Sequence, residues 1–333
     1  MKAVRMTAPG DPEVLQLAEV AKPEPSDRAL LVRLKAAGVN PIDTKLRQRG
    51  TFYPDQMPAI LGCDGAGIVE AVGPGVQRFR VGDAVYFCNG GLGGHPGTYA
   101  EYATVDERFA AHKPVSVDFV TAAAAPLVLI TAWEALYDRA RLDGGQRVLV
   151  HAGAGGVGHV AIQLAKLRGA QVATTVSSEE KADFVRQLGA DHAIFYQKED
   201  FVASALSWTG GEGVDIGFDT VGGAVLSQTF AATRVYGDVV TILAPDAQTD
   251  WKTARDRNLR FSLELMLTPM LQGLTEAQQQ QAQILEECAR WIDGGQLRIH
   301  VGQTFPLAEA AAAHRQLATG QTVGKIVLIP DAE

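Results

Sequence analysis

The sequence is poor in cysteine, in long apolar runs and in basic charge, and each shortage excludes a class of protein. Three cysteines in 333 residues are too few for a disulfide scaffold. No apolar run reaches the roughly 18–20 residues of a membrane span, so we expect no membrane protein. The net charge of −8 argues against a nucleic-acid partner, because proteins that bind the phosphate backbone present a basic face.

The remaining composition is that of a globular protein. Apolar residues make up 47% and charged residues 20% of the chain. A chain of this length is too long for one comfortable core, which predicts two domains. The first residues, Met1–Met6, have the pattern of a strand and not of a signal peptide, so we expect a cytoplasmic protein with reduced thiols.

Two patterns of hydrophobicity divide the chain. Over residues 1–122, short strands alternate with glycine- and proline-rich turns, which predicts a mostly β module. Residues 121–136 are predicted to form a helical stretch, and over 123–262 strands and helices alternate, which predicts a doubly wound parallel sheet. The segment 263–333 contains a long helix up to Ile292 and a last strand, Lys325–Ile329. The predicted fold class is therefore α/β, with a β module beside the parallel sheet.

A glycine-rich segment gives the strongest functional signal. Gly153-Ala154-Gly155-Gly156-Val157-Gly158 fits G-x-G-x-x-G, follows an apolar strand and opens an amphipathic helix. Such glycines let a pyrophosphate approach the backbone, and the helix N-terminus offers free N–H groups and a positive dipole end. We predict that Gly153, Gly155, Gly156 and Val157 bind a dinucleotide. The alternative is a tight turn without a ligand.

The end of the next strand indicates which dinucleotide. An NAD-binding site of this type usually has an acidic residue there, but this strand ends in hydroxyl residues, 174–178. Ser178 is a candidate N-cap, and Lys181 lies in the first turn of the following helix. Hydroxyls and an ammonium suit a 2′-phosphate, which predicts NADPH ahead of NADH. Glu179 and Glu180 oppose this interpretation, and Lys181 could instead be a solvated surface lysine.

Several segments in order give the chain a resemblance to a known family over nearly its full length. It resembles the medium-chain dehydrogenase/reductase superfamily, in particular the zinc-independent quinone oxidoreductase branch related to zeta-crystallin. The segments are "AAGVNPIDTK" (36–45), "GTFYP" (50–54), "LGCDGAGIVEAVGPGV" (61–76), "GTYAEY" (97–102), "HAGAGGVGHVAIQLAK" (151–166), "FDTVGG" (218–223) and "GKIVL" (324–328). The resemblance implies a GroES-like module, a Rossmann domain, a C-terminal segment that returns to the first module, and a homodimer.

The resemblance also bears on metal binding. In the zinc-dependent branch, a cysteine stands at the place of Asn40, His-Glu at Cys63-Asp64, and a third ligand near Leu127. A catalytic zinc needs three protein ligands, whereas asparagine is a poor ligand and leucine is none. We therefore predict no metal. A residual site formed by Cys63, Asp64 and His95 stays open as an alternative.

Without a metal, the acceptors that remain are electron-poor: quinones and α,β-unsaturated carbonyls. Hydride addition leaves an anion that needs a proton. Tyr53, in the "GTFYP" segment, matches a family tyrosine and is the candidate donor, with a packing aromatic as the alternative. Asn40 matches the family asparagine beside the nicotinamide and is predicted to be catalytic and cofactor-binding, with a plain turn as the alternative.

The resemblance assigns further cofactor contacts. Thr131 is expected near the nicotinamide ribose and Tyr196 near the adenosine end, and Leu243 and Lys325 complete the predicted set. The expected activity is NADPH-dependent reduction of a quinone or enone. The alternatives are a zinc-dependent alcohol dehydrogenase and a non-catalytic dinucleotide-binding protein.

Overall fold

The computed structural model of this chain describes residues 1–330. Its strands, numbered in chain order, are β1 (Lys2–Met6), β2 (Leu15–Glu19), β3 (Ala29–Val39), β4 (Ala59–Ile60), β5 (Asp64–Val72), β6 (Ala84–Cys88), β7 (Tyr102–Asp106), β8 (Ala110–His112), β9 (Arg147–Val150), β10 (Gln171–Val176), β11 (His192–Phe195), β12 (Val214–Asp219), β13 (Thr233–Thr241), β14 (Arg260–Leu263), β15 (Val301–Pro306) and β16 (Lys325–Ile329). Its α-helices are α1 (Pro41–Arg49), α2 (Phe119–Ala123), α3 (Pro126–Trp133), α4 (Gly156–Leu167), α5 (Glu179–Gln187), α6 (Phe201–Trp208), α7 (Ala224–Ala232), α8 (Trp251–Asp256), α9 (Thr268–Gln272), α10 (Thr275–Asp293) and α11 (Ala310–Ala318).

The chain divides into two compact units. The first contains Met1–Leu127 and the described part of 267–333, and the second is Val128–Met266. Helix α2 belongs to the first unit, where it packs on β3 and β5, whereas the boundary expected from sequence, after residue 122, cuts through this helix.

The second unit is a parallel sheet in the order β11-β10-β9-β12-β13-β14. This is the doubly wound order in which the chain starts in the middle of the sheet and reverses direction once. Strand β9 is buried along Val148–Val150, as its unbroken apolar run predicts for a strand covered on both faces. The predicted Rossmann architecture is confirmed.

The first unit is mostly β. Its larger sheet has the order β15-β16-β3-β5-β6-β8, with β7 also paired to β3, and a smaller sheet has the order β2-β1-β4. Leu30, Val32 and Leu34 of β3 pack with Phe87 of β6 in the core of the larger sheet. Strand β16 pairs antiparallel with β3 of the same unit.

The pairing register of β16, β3, β5 and β6 places residues that are distant in the sequence next to one another across the larger sheet. Ile326 of β16 lies opposite Val39 of β3, which places the preceding Lys325 beside Asn40. Asp64 of β5 lies between Gly38 of β3 and Cys88 of β6. A Cβ atom on Gly38 would stand 2.9 Å from the Asp64 Cβ, so the glycine leaves room for the carboxylate.

One predicted element differs from the structure. The helical stretch expected from Thr121 to Leu136 is divided into α2, α3 and a π-helical turn, Glu134–Arg139. Pro126 begins α3 because proline has no N–H to donate to the preceding turn. Within residues 1–330, no helix combines the length and the apolarity that crossing a bilayer requires.

Candidate cofactor and acceptor sites

The glycine-rich turn between β9 and α4 forms a cradle at the helix N-terminus, with Gly155 as the N-cap. A Cβ on Gly153 would lie 2.0 Å from Thr174 Oγ1, and one on Gly158 would lie 2.3 Å from the Ala152 oxygen, so packing alone requires these glycines. A Cβ on Gly155 would approach only the Ala152 oxygen, at 3.1 Å. Because packing constrains Gly155 less, a glycine there suits a ligand that approaches the backbone.

The next residues of the cradle show how the turn is held. Ala152 has φ of 51°, a left-handed conformation that is uncommon for alanine, and its N–H donates to Thr175 Oγ1 at 2.9 Å. Thr174 Oγ1 donates to the Val150 oxygen at 2.7 Å. Both threonines are buried, and their hydroxyls are used in holding the turn. We expected the hydroxyl residues at the end of this strand to suit a 2′-phosphate, but the hydroxyls of Thr174 and Thr175 are not available to one.

Ser178 and Lys181 lie at the start of α5. Ser178 is the N-cap, as predicted, and its Oγ accepts a hydrogen bond from the Lys181 N–H at 3.3 Å, which leaves the hydroxyl proton available to a ligand. Among residues 1–330, the Lys181 ammonium has no hydrogen bond or ion pair. Glu179 lies 3.7 Å from the Lys198 ammonium, so one of the opposing acids has its own cation. A hydroxyl and a cation therefore remain free here.

A cavity of about 370 Å³ opens at the carboxyl ends of β9 to β12, where doubly wound sheets bind ligands. Its walls include Tyr196, which is 51% exposed, and side chains from three neighbouring strand ends, His151, Thr175 and Val221. Tyr196 thus lies in a ligand-sized cavity. Thr131 in α3 and Leu243 after β13 belong to the same unit but do not line this cavity; Leu243 packs on Gly222.

Sequence reasoning missed His151, which is buried in the wall of this cavity. Its Nε2 is 2.9 Å from Thr229 Oγ1, and its backbone oxygen accepts a hydrogen bond from Thr220 Oγ1 at 2.8 Å. Burial lowers the pKa of His151 to about 4, so the ring is neutral at pH 7. The sequence signal for His151 is its position, since it is a polar residue directly after the buried strand "RVLV".

In the first unit, Asn40, Asp64 and Lys325 form a buried polar network. Asn40 Nδ2 donates to Asp64 Oδ2 at 2.9 Å, and Lys325 Nζ donates to Asn40 Oδ1. Lys325 Nζ also lies 3.7 Å from Asp64 Oδ2. Asn40 and Asp64 are fully buried and Lys325 is 3% exposed. Asp64 and Lys325 fix the orientation of the Asn40 amide, because one accepts from its Nδ2 and the other donates to its Oδ1. The structure thus brings together two of the predicted site residues, Asn40 and Lys325.

The charges of this network are balanced. Asp64 accepts hydrogen bonds from Asn40 Nδ2 and, at 2.9 Å, from the Leu127 N–H, which is the pattern of an ionised carboxylate. Burial raises the pKa of Asp64, and the Lys325 charge opposes that rise. Burial likewise lowers the pKa of Lys325 against the pull of Asp64. The ammonium and the carboxylate therefore stabilise each other's charged forms.

A second buried carboxylate, Asp43, lies behind Asn40. Its Oδ2 accepts from the Asn40 N–H at 2.8 Å, which caps α1, and from the Tyr99 hydroxyl at 3.0 Å. Burial raises the pKa of Asp43 to about 7. Sequence reasoning missed this residue as well, although "NPID" has the spacing of a helix cap.

The residues at the zinc positions of the family do not fit a catalytic zinc. Asn40 and Asp64 are bonded to each other and to Lys325, and Leu127 contributes its backbone N–H to Asp64. His95 does not join Cys63 and Asp64: its Nδ1 lies 3.0 Å from the Pro96 oxygen and its Nε2 3.2 Å from Thr104 Oγ1. Among residues 1–330, no three His, Cys, Asp or Glu side chains are grouped as metal ligands.

Tyr53 lies in the first unit at the start of a 3₁₀ turn, Pro54–Gln56. Its ring packs on Gly94, where an added Cβ would stand 3.2 Å from the ring atoms. The side chain is partly exposed, and its hydroxyl has no hydrogen bond to any of residues 1–330. The ring thus packs as an ordinary aromatic residue while the hydroxyl stays available to a ligand.

Comparisons with known proteins agree with this architecture. The family model of the alcohol dehydrogenase GroES-like domain matches residues 26–115, and that of zinc-binding dehydrogenases matches 188–328. A quinone oxidoreductase of Pseudomonas aeruginosa is 36% identical over 329 residues, with 99% of each chain covered. A 2-haloacrylate reductase of a Burkholderia species is 32% identical over 336 residues, with 97% of each chain covered.

A solved structure adds to these relatives. The Escherichia coli quinone oxidoreductase complexed with NADPH is 30% identical, with a TM-score of 0.88 over 99% of this chain and 100% of that chain. The GroES-like unit and the Rossmann unit with its glycine cradle define a medium-chain dehydrogenase/reductase. Within that superfamily, the chain belongs to the quinone oxidoreductase family, as the identity over its full length shows.

Proposed function

We propose that this protein reduces quinones and α,β-unsaturated carbonyls with NADPH, without a metal. The observation that carries the proposal is the Asn40–Asp64–Lys325 network, in which Asn40 and Asp64, at two of the places where the resemblance puts residues of the zinc site, are held by each other and by Lys325. Without a Lewis acid, the acceptor itself must be electron-poor. The names of the two relatives, a quinone oxidoreductase and a 2-haloacrylate reductase, agree with such acceptors.

For the cofactor, the second unit provides the binding groups. The N–H groups at the start of α4 would bind the pyrophosphate over Gly153, Gly155, Gly156 and Val157. Ser178 and Lys181 would hold the 2′-phosphate, and Tyr196, in the cavity wall, would contact the adenosine. Thr131 and Leu243 remain proposed cofactor contacts, which are supported only by the resemblance and by their place in the second unit. Bound NADPH would supply the hydride.

For the acceptor, the first unit provides two polar groups. Asn40 Nδ2 has a second hydrogen after its bond to Asp64, and we assign it to the oxygen of the acceptor or of the cofactor carboxamide. Lys325 is then a positioning residue that orients the amide. The free hydroxyl of Tyr53 would pass a proton to the anion that hydride addition leaves.

The test is steady-state turnover with a panel of quinones, enones and 2-alkenals, each with NADPH and with NADH. We expect turnover with NADPH preferred, and a KM for NADPH at least tenfold higher in Gly155→Ala, whose added methyl group narrows the cradle. Gly144→Ala is the matched control, because its Cβ would approach only the Arg168 oxygen, at 3.3 Å, outside the cradle. NADPH binding without turnover of any acceptor would favour the non-catalytic alternative.

We also propose a cytoplasmic homodimer. Strand β14 is the last strand of the parallel sheet and, within residues 1–330, pairs only with β13; Leu263 and Leu265 near it are each 54% exposed. All three cysteines are unpaired thiols, which suits a reducing compartment. Light scattering after size-exclusion chromatography tests the dimer, and a monomer mass at micromolar concentration contradicts it.

A further inference from the structure

His151 joins the end of β9 to three other elements of the second unit. Its Nε2 lies 2.9 Å from Thr229 Oγ1 of α7, and its Nδ1 lies 3.4 Å from Thr175 Oγ1 of β10. Its ring also packs edge-on against Phe201 of α6, with the ring centroids 4.8 Å apart. The residue is only 1% exposed, so its effect on a bound molecule must pass through its neighbours.

The partners of the His151 ring decide which of its nitrogens carries the proton. Thr229 Oγ1 donates its own hydrogen to the Val225 oxygen at 2.7 Å, so it accepts from His151 Nε2. Burial lowers the pKa of His151 to about 4, which keeps the ring neutral, and Nδ1 is therefore the unprotonated nitrogen. An unprotonated Nδ1 accepts a hydrogen bond, and the donor that faces it is the Thr175 hydroxyl.

Thr175 passes this contact on to the glycine cradle. Its hydroxyl oxygen accepts from the Ala152 N–H at 2.9 Å, and its backbone oxygen accepts from the Gly153 N–H at 3.2 Å. Among residues 1–330, the only acceptor for the hydrogen of this hydroxyl is His151 Nδ1. Without Nδ1, the hydroxyl would be free to rotate, and Thr175 would hold Ala152 less firmly.

Ala152 needs to be held because its backbone is strained. Its φ of 51° lies in the left-handed region, which an alanine keeps only where the surrounding contacts stabilise it. Its oxygen accepts from the N–H of Gly155, the N-cap of α4, at 2.8 Å. The N–H groups that follow at the helix start are the ones free for a pyrophosphate. A shift of Ala152 would therefore move these donors.

We infer that His151 is a positioning residue of the cofactor site, which orients the Thr175 hydroxyl and thereby keeps Ala152 and the start of α4 in place for the pyrophosphate. The inference deepens the proposed function and rests on its cofactor site, not on the identity of the acceptor. In this role His151 touches neither the nucleotide nor the acceptor. It should therefore affect the affinity for NADPH and not the rate of the chemical step.

Two amide substitutions separate the roles of the two ring nitrogens. In His151→Asn, the side-chain oxygen can take the place of Nδ1 and accept from Thr175, but the contact with Thr229 is lost. In His151→Gln, the side-chain amide can reach Thr229, but nothing replaces Nδ1. In fluorescence titrations, NADPH should bind His151→Gln about three- to tenfold more weakly than the unmodified protein, the range for one neutral hydrogen bond, and His151→Asn within about twofold.

A third variant and a matched control complete the set. Thr175→Val removes the hydroxyl outright, so it should weaken NADPH binding at least as much as His151→Gln, and the double variant should be no weaker than Thr175→Val alone. His192→Leu is the control, because His192 also lies beside a hydroxyl, with its Nε2 3.1 Å from Ser204 Oγ, but begins β11 at the amino end of the sheet, away from the cradle. Its affinity for NADPH should stay within about twofold.

Equal affinities of His151→Gln and His151→Asn would overturn the inference. Additive losses in the double variant would overturn it too, because His151 would then not act through Thr175. At saturating NADPH, His151→Gln should keep kcat within about twofold, and a fall in kcat at unchanged affinity would contradict the positioning role. Should a His151 variant fail to fold, unchanged affinity in Thr175→Val is enough to overturn the inference. The titrations need no acceptor, so they test His151 even if no quinone or enone is reduced.

Discussion

Replacing Lys325 by methionine removes the buried ammonium and keeps most of the volume of the side chain. Lys325 Nζ lies 3.7 Å from Asp64 Oδ2. At an effective dielectric constant of about 20, Coulomb's law gives about 4.5 kcal/mol for that separation. This agrees with the roughly 3–5 kcal/mol that is lost when one partner of a buried pair is removed. We therefore expect Lys325→Met to lower the free energy of unfolding by about 3–5 kcal/mol.

The loss should depend on pH in a defined direction. Without Lys325, burial raises the pKa of Asp64 further above its value in the unfolded chain. The folded state then binds more protons than the unfolded state, so the stability of Lys325→Met should fall as pH rises above about 4. Asp64→Asn combined with Lys325→Met should recover most of the loss and remove the part of the pH dependence that comes from Asp64, whereas Asp43, whose pKa burial raises to about 7, keeps its own contribution.

Urea unfolding followed by circular dichroism measures these differences, compared at unchanged m values. Lys35→Met is the matched control, because Lys35 is an exposed lysine on β3, and its effect should stay within about 0.5 kcal/mol. Equal stability of Lys325→Met and the unmodified protein would refute the reasoning. An undiminished loss in the double variant would refute it too, since the loss would then not arise from an unpaired Asp64.

Two further predictions concern the cofactor and the proton donor. Lys181→Ala removes one charge-assisted contact, so it should weaken NADPH binding roughly ten- to hundredfold and leave NADH binding nearly unchanged. Fluorescence titrations with both cofactors measure this, and equal weakening of both would show that Lys181 has a structural role only. Tyr53→Phe keeps the ring on Gly94 and removes the hydroxyl, so it should slow enone reduction by up to about 10²-fold. Quinone reduction should slow less, because water can protonate the less basic hydroquinone anion. Unchanged rates with both acceptors would leave Tyr53 a packing residue only.

Much of the fold could be predicted because its signals are local. The apolar run 147–150, the glycine turn after it and the amphipathic helix that follows are contiguous, so the sequence predicts the start of the Rossmann unit correctly. The strand Lys325–Ile329 has the predicted bounds, because its apolar residues, 326–329, end at Pro330. The helical stretch after residue 120 was predicted less well, since its composition is helical throughout and only Pro126 marks the break.

The network around Asn40 could not be predicted in the same way. Lys325 bonds to Asn40 across 285 positions of the chain, through a strand pairing that no local pattern encodes. Asp64 was considered as a metal position only, and its role as acceptor for Asn40 and Leu127 depends on the β3–β5 register. The resemblance identified Asn40 and Lys325 separately, but their contact is visible only in the fold.

The central claim is hydride transfer from NADPH to an electron-poor acceptor without a metal. The most direct measurement combines NADPH oxidation by a 1,4-naphthoquinone with elemental analysis of the same purified protein, before and after treatment with a chelator. The account predicts steady turnover at well under one zinc per chain, unchanged by the chelator. Stoichiometric zinc with turnover that the chelator abolishes would contradict it, and so would the absence of turnover in protein that still binds NADPH.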